Sequence, residues 1–88
     1  MNTDTVKLIE VVGNSAVVQL PMRRFPGMVI QGDTLNALCE SAEEIAAALK
    51  RNAYGEASEA TGLLLASLRE ARAVYEAAVH RTGLPLPY

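Results

Sequence analysis

The residues best suited to recognising a small anion lie in one short stretch, between positions 23 and 33. Arg23 and Arg24 are adjacent guanidinium groups, which bind carboxylates or phosphates through paired hydrogen bonds. Gln31 and Asp33 follow a few residues later. The four side chains define a candidate site for an anionic small molecule. The alternative is structural, because such arginines also flank loops and pair with local acids, and Asp33 suits the first turn of a helix.

A second candidate site is acidic. Glu40, Glu43 and Glu44 lie within five positions, and Glu56 and Glu59 follow them in sequence. These carboxylates form either a solvated helix face or a surface that docks on a basic partner and speeds encounter with it.

Catalytic chemistry has little support in the sequence. His80 follows Glu76 by four residues, so the pair shares one helix face, but no nucleophile accompanies it and such pairs are common on exposed helices. Cys39 is predicted to be a small buried hydrophobic residue. With one cysteine and one histidine, a metal site is not expected, and no cofactor motif is present. We predict no catalytic residue.

Composition indicates a single domain over residues 1–88. Half of the residues are hydrophobic, which allows a core, and a net charge of −2 argues against nucleic acid as a partner. The first four residues lack the features of a signal peptide, and no apolar run reaches the roughly 18 residues of a membrane span. The expected location is the cytoplasm.

The first third of the chain has the pattern of strands. Two β-prone runs, at about 5–12 and 15–20, flank Gly13-Asn14, which is typical of a hairpin. Pro26-Gly27 matches the central positions of a type II turn, and a third strand is predicted at about 28–31.

The remainder has the pattern of two helices, at about 34–53 and 58–81, followed by an apolar tail, 84–88. An apolar stripe at helical spacing marks the first helix: Leu35, Leu38, Ala42, Ile45 and Leu49. Tyr54-Gly55 is predicted to end that helix, with Gly55 in the left-handed conformation. Gly62 is predicted to allow close approach to the first helix. At least one of the consecutive leucines 63–65 needs a second covering surface, from the tail or a dimer mate.

These elements predict an α+β fold. A small antiparallel three-stranded sheet is followed by an antiparallel helix pair packed on it, because three strands need a covering layer to be stable.

One motif of the chain is distinctive: Leu20-Pro21-x-Arg23-Arg24-Phe25-Pro26-Gly27-x-Val29-Ile30-Gln31-Gly32-Asp33-x-Leu35, with Tyr75 and a closing Leu86-Pro87-Tyr88. In these residues the chain resembles a family of small uncharacterised bacterial domains. Nearly the whole chain is covered. The resemblance implies that this stretch and the final Pro-Tyr belong together, and Met22 stands where the family pattern has glycine. It implies no activity.

Three functions follow, in order of preference. The first is a non-catalytic protein-binding module, specifically an immunity-type neutraliser of a bacterial toxin. The second is a self-associating structural protein that forms a homodimer through the second helix. The third is a binder of an anionic small molecule at the loop that contains Arg23, Arg24 and Asp33. Neither nucleic acid nor a membrane is expected as a partner.

Overall fold

The structure, a computed structural model, describes residues 5–88. Residues 1–4 of the predicted domain, on which the prediction about a signal peptide depends, lie outside the described residues. The elements are β1 (Lys7–Val12), β2 (Ser15–Gln19), β3 (Gly27–Ile30), α1 (Gly32–Lys50) and α2 (Tyr54–Thr82). The predicted α+β fold, a three-stranded antiparallel sheet followed by two helices, is confirmed. The predicted strand bounds 5–12, 15–20 and 28–31 are each displaced by one or two residues at one or both ends.

The predicted hairpin joins β1 and β2. The strand order is β1-β2-β3, and the pair Val12 and Ser15 closes a two-residue turn. Gly13 has a φ of 56°, a conformation that glycine adopts without steric cost, while Asn14 is not in that region. Positive φ at the first central position alone is the pattern of a type II′ turn, whose twist matches that of the strands.

A β-bulge in β1 directs one acid toward α2. The register shifts between Leu8 and Glu10, so that Leu8 pairs with Val18 and Glu10 pairs with Val17. The bulge therefore places Glu10 on the same sheet face as Val17. On that face Arg81 binds the Glu10 carboxylate: its Nε donates to Oε1 at 2.8 Å, and its Nη2 contacts Oε2. The sheet and the last turns of α2 are thus joined by a two-point ion pair.

The chain divides into two compact units. The first contains the sheet, the loops up to position 31 and residues 71–88, and the second is Gly32–Glu70. In the first unit, Val17 and Val18 of the central strand are buried, as are Ala78 and Val79 of α2. The end of α2 therefore supplies an apolar layer for the sheet face that holds Val17, since Arg81 binds Glu10 on that face.

The turn after β2 differs from the prediction. The N–H of Arg23 donates to the carbonyl of Leu20 at 3.4 Å, with Pro21 and Met22 as the central residues. Met22 has a φ of 64°, so this is the type II pattern, in which the third residue needs positive φ. The predicted turn at Pro26-Gly27 is wrong, because Gly27 is the first residue of β3 and pairs with Val18.

Replacing Met22 with glycine is expected to raise the free energy of unfolding by about 0.5–1 kcal/mol. The left-handed conformation costs a non-glycine residue about 1–2 kcal/mol, part of which is lost to the greater unfolded-state entropy of glycine. The Met22 side chain is 100% exposed, so no packing is lost. Urea denaturation measures the change. Gly13→Ala is the control, because it removes a glycine from another position with positive φ, and it is expected to lower the free energy of unfolding. If Met22→Gly lowered the free energy of unfolding by the same amount, the turn assignment would be contradicted.

The connection between the helices also differs from the prediction. The helix α1 ends at Lys50 instead of 53, and Asn52 adopts the left-handed conformation with a φ of 59°. The N–H groups of Ala53 and Asn52 donate to the carbonyls of Ala48 and Leu49 at 2.8 and 3.0 Å, which is the Schellman arrangement. Gly55, predicted to end the helix, lies in the first turn of α2.

The other helix ends are shifted as well. The helix α1 begins at Gly32 instead of 34, and α2 runs from Tyr54 to Thr82 instead of 58–81. Within the described residues no helix is long and apolar enough to cross a membrane.

Two predictions about small residues are wrong. A Cβ built on Gly62 would meet nothing within 4 Å, so this glycine does not mark a close approach of α1. Cys39 is exposed instead of buried. Both residues lie in the second unit, whose buried residues are all alanines: Ala48, Ala57 and Ala60.

Candidate functional site

The two arginines of the first candidate site lie in the loop between β2 and β3 and are exposed, as is Gln31. The guanidinium carbon of Arg24 lies 5.2 Å from the ring centroid of Phe25, which is within cation–π range. The amide of Gln19 donates to the carbonyl of Arg23 at 2.6 Å. The loop backbone is therefore fixed by β2, while both arginine residues remain exposed.

Asp33 lies at the start of α1. Its Oδ1 accepts a hydrogen bond from the N–H of Thr34 at 2.9 Å, and its negative charge favours the N-terminus of a helix. Asp33 belongs to the second unit, whereas Arg23, Arg24 and Gln31 belong to the first. The local contacts of Asp33 are those of a residue that stabilises the helix end.

Tyr75 attaches the loop to α2. Its hydroxyl donates to the carbonyl of Pro26 at 2.6 Å, across 49 positions in the sequence, and Pro26 is buried. This bond fixes the chain where it enters β3. Within the first unit, this hydrogen bond therefore ties the stretch that carries the arginines to α2.

The C-terminal tail contacts the adjacent turn of α2. The hydroxyl of Tyr88 donates to Oε2 of Glu76 at 3.1 Å, and Glu76 follows Tyr75 on α2. Desolvation, and then this bond, raise the pKa of Tyr88 above its ordinary value. Because the pKa is raised, the bond is present at neutral pH and is lost as the pH rises through that raised pKa. His80 is exposed.

The acidic residues form an open pocket in the second unit. It has a volume of about 220 Å³, and α1 and α2 supply its lining: Ser41, Glu44, Glu56, Glu59, Ala60 and Leu63. Spacings of three and four residues place each helix's share on one face, which is why residues distant in sequence converge here.

The charge of the pocket is only partly compensated. Arg51 pairs with Glu56, Nη2 to Oε2 at 2.6 Å, and both side chains are exposed. Among residues 5–88 the ion pairs are this one and Arg81–Glu10, so Glu44 and Glu59 belong to neither. Two carboxylates therefore give the pocket its negative potential.

Only part of the predicted acidic patch contributes to the pocket. Glu44 does, whereas Glu43 is not among the lining residues and Glu40 accepts a hydrogen bond from Nδ2 of Asn36 at 2.8 Å. Sequence reasoning missed Ser41 and Leu63. Ser41 lies three positions before Glu44, and Leu63 lies four positions after Glu59, so each shares a helix face with a predicted acid. This spacing identifies both residues once the two helices are known to be neighbours.

The lining suits a cationic side chain with an apolar stem. Carboxylates and a hydroxyl accept hydrogen bonds from an ammonium or guanidinium group, and Leu63, 68% exposed, offers apolar contact. In the part of the chain that the structure describes, no group of three or more His, Cys, Asp or Glu is placed to hold a metal ion. The geometry favours a basic group from another molecule.

The fold and this surface define a small α+β protein with a concave acidic face on its helix pair. The chain belongs to the family described as "Family of unknown function (DUF6959)", whose model matches residues 1–88. Neither a curated protein nor a solved structure matched it.

Proposed function

We propose that this protein is a non-catalytic protein-binding module and that the acidic pocket of the second unit accepts a lysine or arginine side chain of its partner. The observation that carries the proposal is the convergence of Glu44 and Glu59 beside the exposed Leu63 in one open pocket.

The electrostatics of the pocket favour recognition over chemistry. A negative cleft attracts a basic partner and increases the rate of encounter, while the apolar side chain of Leu63 offers a contact for the stem of a basic residue. Arginine combines a bidentate guanidinium with an apolar stem, so it matches both features.

The same surface fits the more specific hypothesis. An immunity-type neutraliser works by covering a basic region of a toxin, and needs a shaped and charged surface only. We propose such a role in a bacterial cytoplasm.

A second candidate function is self-association. Three leucines of α2 are exposed, Leu63 at 68%, Leu65 at 40% and Leu68 at 48%, and support the alternative of a homodimer through the second helix. The third function, an anion site at Arg23, Arg24 and Asp33, stays a prediction.

The proposal is tested by following the amide resonances of the ¹⁵N-labelled protein while N-acetyl-argininamide is added. We expect salt-sensitive shifts at the pocket lining, centred on Ser41, Glu44 and Glu59, and much smaller shifts with the uncharged N-acetyl-glutaminamide. The double substitution Glu44→Gln with Glu59→Gln should remove most of the response.

Glu43→Gln is the matched control, because it removes the same charge at the position next to Glu44 but outside the pocket. It should leave the response nearly unchanged. If Glu43→Gln weakened the shifts as much as the pocket substitutions, general charge and not the pocket would be responsible.

A further inference from the structure

One carboxylate of the acidic pocket already binds a guanidinium group of this chain. Arg51 is not among the lining residues, but its Nη2 donates to Oε2 of Glu56, which lines the pocket, at 2.6 Å. Both residues belong to the second unit. The pocket therefore already contacts the kind of group that the proposed function assigns to a partner.

The backbone places Arg51 beside the pocket. Arg51 directly follows the last residue of α1, and its N–H donates to the carbonyls of Ala47 and Ala48, both at 3.2 Å. Glu56 lies in the first turn of α2, five positions after Arg51. The Schellman motif at the end of α1 fixes the path of the chain between the two residues. The guanidinium of Arg51 is thus kept near Glu56 in the free protein.

The ion pair of Arg51 and Glu56 has the features of a contact that exchanges readily. The structure shows one hydrogen bond between the two side chains, whereas a guanidinium is able to bind a carboxylate through two parallel bonds. The side chains are 57% and 71% exposed, so that water and salt screen the pair. A guanidinium from another molecule therefore meets little resistance in replacing Arg51 at Glu56.

We infer that Arg51 is an intramolecular competitor for the acidic pocket and that a partner's arginine displaces it from Glu56. This inference rests on the proposed function and adds a regulating residue to the same site. While Arg51 binds Glu56, a ligand meets the two lining carboxylates that belong to no ion pair of residues 5–88, those of Glu44 and Glu59. Displacement of Arg51 makes the third carboxylate available.

The competitor determines what a partner must supply. A small cation gains little at Glu56, because it exchanges one charged contact for another. An arginine of a partner gains more, since it also offers a second hydrogen bond and an apolar stem that contacts Leu63. The pocket therefore favours an arginine that a partner holds in position over a free cation.

Two other roles of Arg51 give different results. If the ion pair only joins the two helices, replacing Arg51 does not strengthen binding of a cation. If only net charge matters, removing any nearby cation strengthens binding equally. Lys50 is the matched control for charge, because it is adjacent and exposed and belongs to neither ion pair of residues 5–88.

The test compares the dissociation constants of N-acetyl-argininamide for the wild type, Arg51→Gln and Lys50→Gln, from amide shifts of the ¹⁵N-labelled full chain in about 0.15 M salt. Arg51→Gln is expected to lower the dissociation constant about two- to fivefold, the range that corresponds to an exposed ion pair. Lys50→Gln is expected to change it less than about 1.5-fold, because solvent and salt screen its charge.

A second pair of variants tests the contact itself. In the Glu56→Gln background Arg51 has lost the carboxylate for which it competes, so adding Arg51→Gln should no longer strengthen binding. The Nε–Hε resonance of Arg51 reports displacement directly. In the wild type, saturating N-acetyl-argininamide should move this resonance toward its position in free Glu56→Gln, which a merely structural ion pair would not do.

The results separate this inference from the proposed function. If the wild type binds the probe and Arg51→Gln does not strengthen binding, or Lys50→Gln strengthens it equally, the inference is overturned and the proposed function stands. An equal gain from Arg51→Gln with and without Glu56 also overturns it. If no variant binds the probe, the proposed function fails, and the inference fails with it.

Discussion

Val17→Ala is expected to lower the free energy of unfolding by about 2 kcal/mol in a urea titration. Val17 is 1% exposed in the central strand and pairs with Glu10, the residue that Arg81 of α2 binds. Removing its two methyl groups loses the transfer free energy of the buried carbons and leaves a cavity that the central strand cannot close. That is a large share of the stability of a domain this small.

Val11→Ala is the matched control for this experiment. This substitution removes the same two methyl groups in the same sheet. Val11, however, lies on the edge strand β1 and is 60% exposed. The expected cost is about 0.5 kcal/mol or less. Equal losses at the two positions would mean that the end of α2 does not cover the face that holds Val17.

Tyr75→Phe is expected to cost about 1–2 kcal/mol. The substitution keeps the ring and removes the hydroxyl that donates to the carbonyl of Pro26 at 2.6 Å. Because Pro26 is buried, its carbonyl then lacks that partner and retains the cost of desolvation. Thermal or chemical denaturation measures the change.

Tyr54→Phe controls for the loss of a hydroxyl as such. The hydroxyl of Tyr54 donates to Oδ1 of Asn52 at 2.9 Å, but the residue is 65% exposed and water can replace the bond. We expect a change of less than about 0.5 kcal/mol. A Tyr75→Phe variant as stable as Tyr54→Phe would remove the argument that this bond fixes the loop.

The strands and the helices were predictable because their signals are local. Two β-prone runs flank Gly13-Asn14, and apolar residues recur at helical spacing from Leu35 onward. Both patterns depend on residues close in sequence, and both gave the elements observed. The turn after β2 and the end of α1 were less predictable, because the left-handed conformation was predicted at a glycine and is adopted by Met22 and Asn52 instead. Pro26-Gly27 has the composition of a type II turn, but pairing with Val18 draws Gly27 into β3.

The ends of α1 show the same limit. Gly55 is the residue most typical of a helix end, yet Asn52 adopts the left-handed conformation three residues earlier. Asparagine tolerates that conformation, and the two backbone bonds it enables complete the Schellman motif. Sequence identified the kind of terminus but not which residue would form it.

The candidate site was predictable in part. Glu44 was identified as acidic surface, whereas its grouping with Glu59 depends on how two helices face each other, which spacing within one helix does not determine. Cys39 was misplaced for a related reason. The first helix has apolar residues over a wide arc, and only the position of α2 shows which part of that arc is covered.

The central claim is that recognition takes place at the acidic pocket and that the arginine loop is a connector. A pair of titrations on one ¹⁵N-labelled sample tests this claim most directly. One adds N-acetyl-argininamide and the other adds inorganic phosphate, and amide shifts are followed over the whole chain. The account predicts that the cationic probe shifts the resonances of Ser41, Glu44 and Glu59, and that phosphate leaves those of Arg23 and Arg24 unchanged. Saturable phosphate shifts at the two arginines, with no response of the pocket to the cationic probe, would contradict it.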